Sequence, residues 1–384
     1  MTGGSAWPVS QEHGGTDALG TAAHDFSTNS NACGPCPEAL QAVQAAEVRH
    51  YPDPHYTALR EALAAWHGVA PWQILLAASA SECIHRLSLW ALRRGAEQVV
   101  VPSPCYGDYA RQAQALGLTV ASAPATREPP PEHDFGALRW ACQPSSPAGR
   151  ADPQLAPWLA AADAQAWRAH TPDALPAPLL RVLDMAYAPL VLDGGSGAGL
   201  DWLQQAAGQR HACWQLFSPN KALGMTGVRG AYAIAPCPPP GQSSSDAGAM
   251  AERAVAELQA LAPSWPLGVH GVAMLQAWQR PSVQQWLAHS RQILLGWKRQ
   301  QQACCEALGW QVWPGSLANY FVAAVPQAGR PDWPALLQSL RTAGIKLRDT
   351  TSMGLPGHVR LGVRPPASQQ ALRAAWQSLP AAMR

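Results

Sequence analysis

Only three lysines, Lys221, Lys298 and Lys346, stand among the 27 basic residues of this chain, so any chemistry that needs an amine nucleophile has few candidates. Lys298 sits between Trp297 and Arg299 in a helix-like stretch, and Lys346 lies beside Leu347 in a strand-like one. Both read as solvated side chains. Lys221 differs. It stands in Ser218-Pro219-Asn220-Lys221-Ala222-Leu223-Gly224, with Gly227 and Arg229 close behind. An amine condenses with a cofactor aldehyde, and a phosphate on the same cofactor needs hydroxyl and guanidinium donors nearby, which Ser218 and Arg229 supply. The Ser-x-x-Lys string also marks β-lactamase-type nucleophiles, but the companion Ser-Asp-Asn and Lys-Thr-Gly motifs are missing.

A second element precedes the first. Asp184 ends the apolar run Arg181-Val182-Leu183 and is followed by Met185-Ala186-Tyr187. A carboxylate facing a pyridine nitrogen keeps it protonated and makes the ring an electron sink, while the Tyr187 hydroxyl can bond the ring oxygen. Taken alone, an Asp at a strand end is an ordinary cap or loop residue.

The elements that must position these residues alternate along the chain. Tyr56–His67 has helical periodicity in Leu59, Leu63 and Trp66; Gln73–Leu76 is a short apolar strand; Glu82–Arg94 is helical; Val99–Val101 is a strand ending at Pro102. Arg181–Leu183 and Gly230–Ala235 bracket the lysine region as further strands. This is the pattern of a layered α/β protein. Asp193–Gly199 and Pro236–Asp246, rich in Gly, Pro and Ser, read as loops. Pro281–Leu308 reads as a long helix; strand-like Tyr320–Val325 and Val359–Val363 and a terminal helix follow, as in a second, smaller α+β domain.

Composition excludes several functions. The chain is 47% hydrophobic with a formal charge of +2 and no basic run, so nothing marks a nucleic-acid or anionic-membrane surface. No stretch of about 18 uncharged apolar residues and no leader-like N-terminus is present, which predicts a cytoplasmic protein with a small-molecule partner. Nine scattered cysteines do not form a disulfide framework. Cys33-Gly34-Pro35-Cys36 has thioredoxin spacing, but it follows the polar Ser27-Thr28-Asn29-Ser30-Asn31 and not a strand. It reads as a turn into a helix beginning near Pro37, with no metal site expected.

With these residues in view, the chain resembles fold-type-I enzymes that use pyridoxal 5'-phosphate (PLP), specifically the branch of histidinol-phosphate aminotransferase and threonine-phosphate decarboxylase. The likeness spans nearly the whole length: Asn29-x-Asn31 with Gly34-Pro35, His50-Tyr51-Pro52-Asp53, Ser79-Ala80-Ser81-Glu82, Tyr106-Gly107, Ala318-Asn319-Tyr320, Leu347-Arg348-Asp349 and Gly354-Leu355-Pro356-Gly357-His358-Val359-Arg360. It implies a large domain (46–275) with a mixed, mostly parallel seven-stranded sheet and a smaller α+β domain (1–45 and 276–384). It further implies that Lys221, Asp184 and Tyr187 carry catalysis. Ala80, Ser81, Tyr106, Ser146, Ser218 and Arg229 would hold the cofactor, with Tyr51 reaching across a homodimer. Asn31, Arg348 and Arg360 would bind substrate, Arg360 through a carboxylate and Arg348 through a distal phosphate.

The departures from the family are Ser145-Ser146-Pro147-Ala148-Gly149 where relatives carry Asn-Asn-Pro-Thr-Gly, Met185 in place of a usual Glu, and Gly268 in place of a usual Asn. Three readings stay open. Transamination is supported by Tyr106-Gly107 and the Gly354–Gly357 turn. Decarboxylation, as in the cobalamin-biosynthesis enzyme, is supported by His13-Gly14-Gly15 and by Arg364. A non-catalytic PLP-binding protein is the third. The aminotransferase-like effector domains of transcription regulators are a poor match, since only about 25 residues precede the family motif, too few for a DNA-binding domain.

Overall fold

The computed structural model describes residues 13–123, 136–160, 166–167, 175–192, 201–239, 245–326 and 332–383. Its strands, in chain order, are β1 (His24–Asp25), β2 (Ile74–Ala77), β3 (Gln98–Val101), β4 (Thr119–Ser122), β5 (Ala137–Cys142), β6 (Arg181–Asp184), β7 (Trp214–Phe217), β8 (Ala231–Ile234), β9 (Gln311–Val312), β10 (Tyr320–Ala324), β11 (Ile345–Lys346), β12 (Arg348–Asp349) and β13 (His358–Gly362). Seven form one sheet in the order β2-β8-β7-β6-β5-β3-β4. Strands β4, β3, β5, β6 and β7 pair in parallel; β8 runs antiparallel to both β7 and β2.

Strands β2, β5, β6, β7 and β8 are buried along their whole length, as short apolar runs must be when helices cover both faces of a sheet. One apolar cluster holds Leu59, Leu63, Leu183, Phe217, Tyr232 and Trp278; another holds Leu87, Trp90, Val99, Trp140, Trp214 and Val255. A four-stranded antiparallel sheet, β12-β13-β10-β9, lies in the C-terminal part. Its own core of Phe321, Leu361, Leu372 and Trp376 includes Phe26 from the N-terminal arm, and β1 pairs in parallel with β11. The arm thus completes the C-terminal part.

Most element boundaries fall within a residue or two of those read from the sequence. The loop expected over Pro236–Asp246 ends earlier, because a helix begins at Ser245 (Ser245–Ala260); the loop expected over Asp193–Gly199 lies outside the described residues. The two other lysines are corrections. Lys298, on the helix Pro281–Ala307, is 2% exposed and donates to the Ser316 carbonyl, and Lys346 pairs with Asp17 at 2.9 Å. Neither is a solvated side chain. Among the described residues no helix is long and apolar enough to cross a membrane.

Candidate active site

The sheet topology gathers the expected residues at one edge. Ser79–Ser81 follow β2, Tyr106 follows β3, Ser146 follows β5, Asp184 closes β6, and Ser218 and Lys221 follow β7. All of these are carboxyl ends of strands running the same way, where open α/β sheets bind ligands. Because β8 runs the other way, Arg229, just before its amino end, joins the same edge. A cavity of about 720 Å³ there is lined by Lys221, Asp184, Tyr187, Tyr106, Ser218 and Arg229 together with Ala80, Ser81, Ser146, Arg348 and Arg360.

Asp184 lies on the floor of this cavity. Its Oδ2 accepts from the Tyr109 hydroxyl at 2.7 Å and its Oδ1 from the Ala186 N–H at 2.9 Å. Burial pushes its carboxyl above the usual range; these donors and nearby Lys221 pull the other way. A buried acid whose hydrogen bonds come from neutral donors is suited to a cation brought in by a ligand. Tyr109 stacks on Trp140 with ring centroids 4.6 Å apart, which fixes the hydroxyl that holds Asp184. The Lys221 amine stands 5.4 Å from the centre of the Tyr187 ring, and the Tyr187 hydroxyl accepts from Asn29 at 3.3 Å.

The turn carrying Lys221 is clamped from behind by the segment around Asn31. The Asn31 N–H donates to the Lys221 carbonyl at 2.9 Å, Asn31 Nδ2 to the Ala222 carbonyl at 3.0 Å, and the Cys36 N–H to the Leu223 carbonyl at 2.8 Å. Gly34 and Gly224 meet backbone to backbone: a Cβ on Gly224 would lie 2.7 Å from Gly34 Cα, and Gly224 has φ +68°. Only glycine fits there. Asn31 is therefore a correction: with Oδ1 accepting from the Cys33 N–H at 3.0 Å, its side chain is committed to backbone, and Asn29 and Ser30 face the cavity instead. The Cys33–Cys36 turn does lead into a helix (Pro37–Gln44), all nine cysteines are free, and burial pushes both thiols up. The turn supports the segment that carries the lysine.

The helix Ala80–Arg93 opens with its amino end at the cavity. Ser79 caps it, its hydroxyl accepting from the Glu82 N–H at 3.1 Å, a contact worth about 1 kcal/mol. The free N–H groups and dipole of such an end favour an anion. Ser81 Oγ donates to Asp108 Oδ2 at 2.6 Å and Ser218 Oγ to Asn220 Oδ1 at 2.9 Å, so in this arrangement both hydroxyl hydrogens point at neighbouring side chains. Asp108 also accepts from the Tyr106 hydroxyl at 2.9 Å and from Arg111 Nη2 at 2.9 Å. Burial raises its carboxyl, but these donors outweigh burial and hold it below the usual range. Asp108, Tyr109 and Arg111 escaped the sequence reading; the signal for them was Tyr106-Gly107-Asp108-Tyr109 opening a helix (Gly107–Ala115), whose first turn must face the strand edge.

Opposite the floor lie arginines from the second sheet. Arg348 on β12 and Arg360 on β13 are register partners, so their side chains leave the same face of the sheet. Both are at least nine-tenths buried. Arg360 donates to Ser146 Oγ at 3.2 Å and to the Ser27 carbonyl at 3.0 Å, and Arg348 to Ser352 Oγ at 2.9 Å. Arg364 donates to the Thr28 carbonyl at 3.2 Å and lines the same cavity. Tyr51 is not brought in: it is 78% exposed and stacks on Trp265 with centroids 4.4 Å apart. Among the described residues no group of three His, Cys, Asp or Glu side chains could hold a metal.

The family model for aminotransferase class I and II matches residues 21–379. The chain belongs to this family. It is 27% identical over 350 residues to histidinol-phosphate aminotransferase 1 of Nitrosococcus oceani, an alignment covering 88% of this chain and 84% of that one. Among solved structures, histidinol-phosphate aminotransferase from Sinorhizobium meliloti, in complex with pyridoxal-5'-phosphate, superposes with TM-score 0.68 at 19% identity, covering 92% of this chain and 90% of that one. L-threonine-O-3-phosphate decarboxylase from Porphyromonas gingivalis superposes with TM-score 0.63 at 20% identity, covering 91% and 96%. The cofactor of these class I/II enzymes is PLP, and the residues here fit it. The cavity lining brings together an amine (Lys221), a buried carboxylate (Asp184), an aromatic ring (Tyr106) and, at the helix end and Arg229, donors of the kind a phosphate needs.

Proposed function

We propose that the protein transfers an amino group between a phosphate-bearing amino acid or amino alcohol, of which histidinol phosphate is the model, and a 2-oxo acid. The observation that carries this reading is the Arg348–Arg360 pair, two guanidinium groups from neighbouring strands over a cavity that also holds Lys221. Two cations side by side suit a substrate with an anion at each end. Arg360 binds the carboxylate next to the reacting carbon, and Arg348, with Arg364, takes the distal group. Bound PLP withdraws electrons from the substrate Cα. Asp184 keeps the ring nitrogen protonated, Tyr187 orients the ring through its oxygen, and the Lys221 amine moves the proton off Cα.

A second reading, loss of carbon dioxide, has its own support. His13, Gly14 and Gly15 line this same cavity, and the Porphyromonas gingivalis enzyme of the same fold is a decarboxylase. Which bond breaks would depend on how Arg348 and Arg360 orient the substrate. A non-catalytic PLP-binding role would use Lys221 and Asp184 to hold the cofactor but would leave the Arg348–Arg360 pair without a use. Purified protein with added PLP, mixed with histidinol phosphate plus 2-oxoglutarate or with O-phosphothreonine, separates the readings. Glutamate formation supports transamination, carbon dioxide release supports decarboxylation, and no lysine-bound cofactor absorbance overturns both.

We further infer a cytoplasmic homodimer in which Tyr51 reaches the partner's cofactor phosphate, as its exposed stack on Trp265 suits. Restored activity on mixing Tyr51→Phe and Lys221→Ala chains supports this, and its absence overturns it. The division into 46–275 and 1–45 with 276–384 is supported by Phe26 in the C-terminal core and the β1–β11 pairing.

A further inference from the structure

Asp17 does not itself line the cavity, yet it gathers a set of cations. Its carboxylate accepts from Arg341 Nε at 2.9 Å and Nη2 at 2.8 Å and pairs with Lys346 at 2.9 Å. Arg341 Nη2 also donates to the Gly20 carbonyl at 2.9 Å, and Lys346 to the Gly15 carbonyl. The Arg341 contacts, then those of Lys346, hold the Asp17 carboxyl far below the ordinary range. A bidentate guanidinium with a second cation is a defined geometry, unlike a lone surface pair. The clasp ties residues 15–20 to the helix Trp333–Thr342 and to β11.

The clasped segment has a place in the active site. His13, Gly14, Gly15, Thr16 and Thr21 line the cavity that holds Lys221 and Arg360. A Cβ on Gly14 would lie 2.3 Å from the Ser27 carbonyl oxygen, and the Gly15 N–H donates to Ser27 Oγ at 2.9 Å. That Ser27 carbonyl is the one accepting from Arg360. The segment therefore leans on the residue that orients the carboxylate-binding arginine.

We propose that Asp17, clasped by Arg341 and Lys346, is a positioning residue that holds residues 13–21 as a strap forming one wall of the substrate pocket. Nothing in this depends on which amino substrate binds. Opening the clasp exposes the mouth of the site and loosens Ser27 behind Arg360, while the floor that holds the cofactor stays as it is.

The test uses the full-length, PLP-loaded protein as wild type, Asp17→Asn and Lys346→Met. The second variant keeps the Arg341–Asp17 pair and serves if Asp17→Asn folds poorly. Amide exchange over 13–21 and the rate at which hydroxylamine strips the cofactor from the protein should each rise about tenfold in Asp17→Asn, and less in Lys346→Met. Cofactor absorbance and exchange in the sheet strands should not change. In a titration with histidinol phosphate at saturating 2-oxoglutarate, KM should rise with kcat kept; this readout alone rests on the phosphate reading above. Exchange over 13–21 at the wild-type rate in both variants overturns the clasp. Faster exchange with unchanged hydroxylamine capture overturns the wall. Wild type that ignores the phosphorylated probe sinks the phosphate reading only, and the first two readouts still decide the strap.

Discussion

Asp184 and Arg360 face one cavity but are held in different ways. Asp184 closes a wholly buried strand, and a hydroxyl stacked into the core fixes its carboxylate. Arg360 is steered by polar atoms from distant parts of the chain: Ser146 on the large sheet's edge and Ser27 in the N-terminal arm. The floor is thus a property of one sheet and its tight turns. The face opposite is an assembly of segments tied by hydrogen bonds and ion pairs, the kind of structure that can change specificity without disturbing the floor. The difference predicts that floor substitutions abolish turnover, whereas those opposite it weaken substrate binding.

The sharpest break comes from Lys221→Ala. On the proposed reading, in which this amine holds the cofactor and moves the Cα proton, its removal should lower kcat by roughly 10⁴ or more. The absorbance of the lysine-bound cofactor should vanish while the apoprotein keeps its melting temperature; retention of the band would disqualify Lys221.

Asp184→Asn should lower kcat by about 10² to 10³, because a neutral amide cannot hold a protonated ring nitrogen. Its effect on stability runs the other way. In the cofactor-free protein burial raises the Asp184 pKa above its value of 3.8 in the unfolded chain. The unfolded state therefore ionises first, and as pH rises from 3.8 through the folded value, folding loses stability. At neutral pH that cost is fully present; below 3.8 it is gone. The Asn variant escapes it, so its apoprotein should melt higher at pH 7, by about 1 °C for each kcal/mol recovered, and the gap should close on acidification. A variant less stable than wild type at pH 7 would show that the Tyr109 contact outweighs desolvation.

Arg360→Lys keeps the charge but loses the fork. With one charge-assisted hydrogen bond of about 1.5–3 kcal/mol lost, kcat/KM should fall roughly 10- to 100-fold, carried mainly by KM for the amino substrate. A fall carried by kcat with KM unchanged would move Arg360 into the chemistry of the transition state.

Much of this is legible in the amino-acid sequence alone, and the reasons are local. Lys221 announces itself because lysine is scarce and its turn needs small residues. Short apolar strands are visible because burial on both faces leaves no alternation to confuse. The buried state of Lys298 is not legible, since its neighbours Trp297 and Arg299 look like an ordinary helix surface and its partner, the Ser316 carbonyl, comes from a separate loop. Asn31 misleads for a related reason: an asparagine in a motif looks like a ligand-binding side chain, but the backbone groups of Ala222 and Cys33 claim both ends of its amide. The Asp17 clasp joins residues more than 320 positions apart. Nothing in either local sequence points to the other.

Ser146 decides where the boundary between the two halves runs. It occupies the position where relatives carry an asparagine directed at the cofactor ring, which would assign it to the floor. Its hydroxyl accepts from Arg360 Nη1 at 3.2 Å in a side chain that is 3% exposed, which ties it to the arginine opposite the floor. Removing the hydroxyl leaves a buried guanidinium nitrogen one partner short, a loss of about 1 kcal/mol. Ser146→Ala should accordingly raise KM for the amino substrate severalfold, roughly 3- to 10-fold, with kcat and PLP dissociation close to wild type. If the variant instead releases PLP more readily at unchanged KM, Ser146 belongs with Asp184 and Tyr187. The floor then extends across the end of β5, and Arg360 would owe its orientation to the Ser27 carbonyl and the strap behind it.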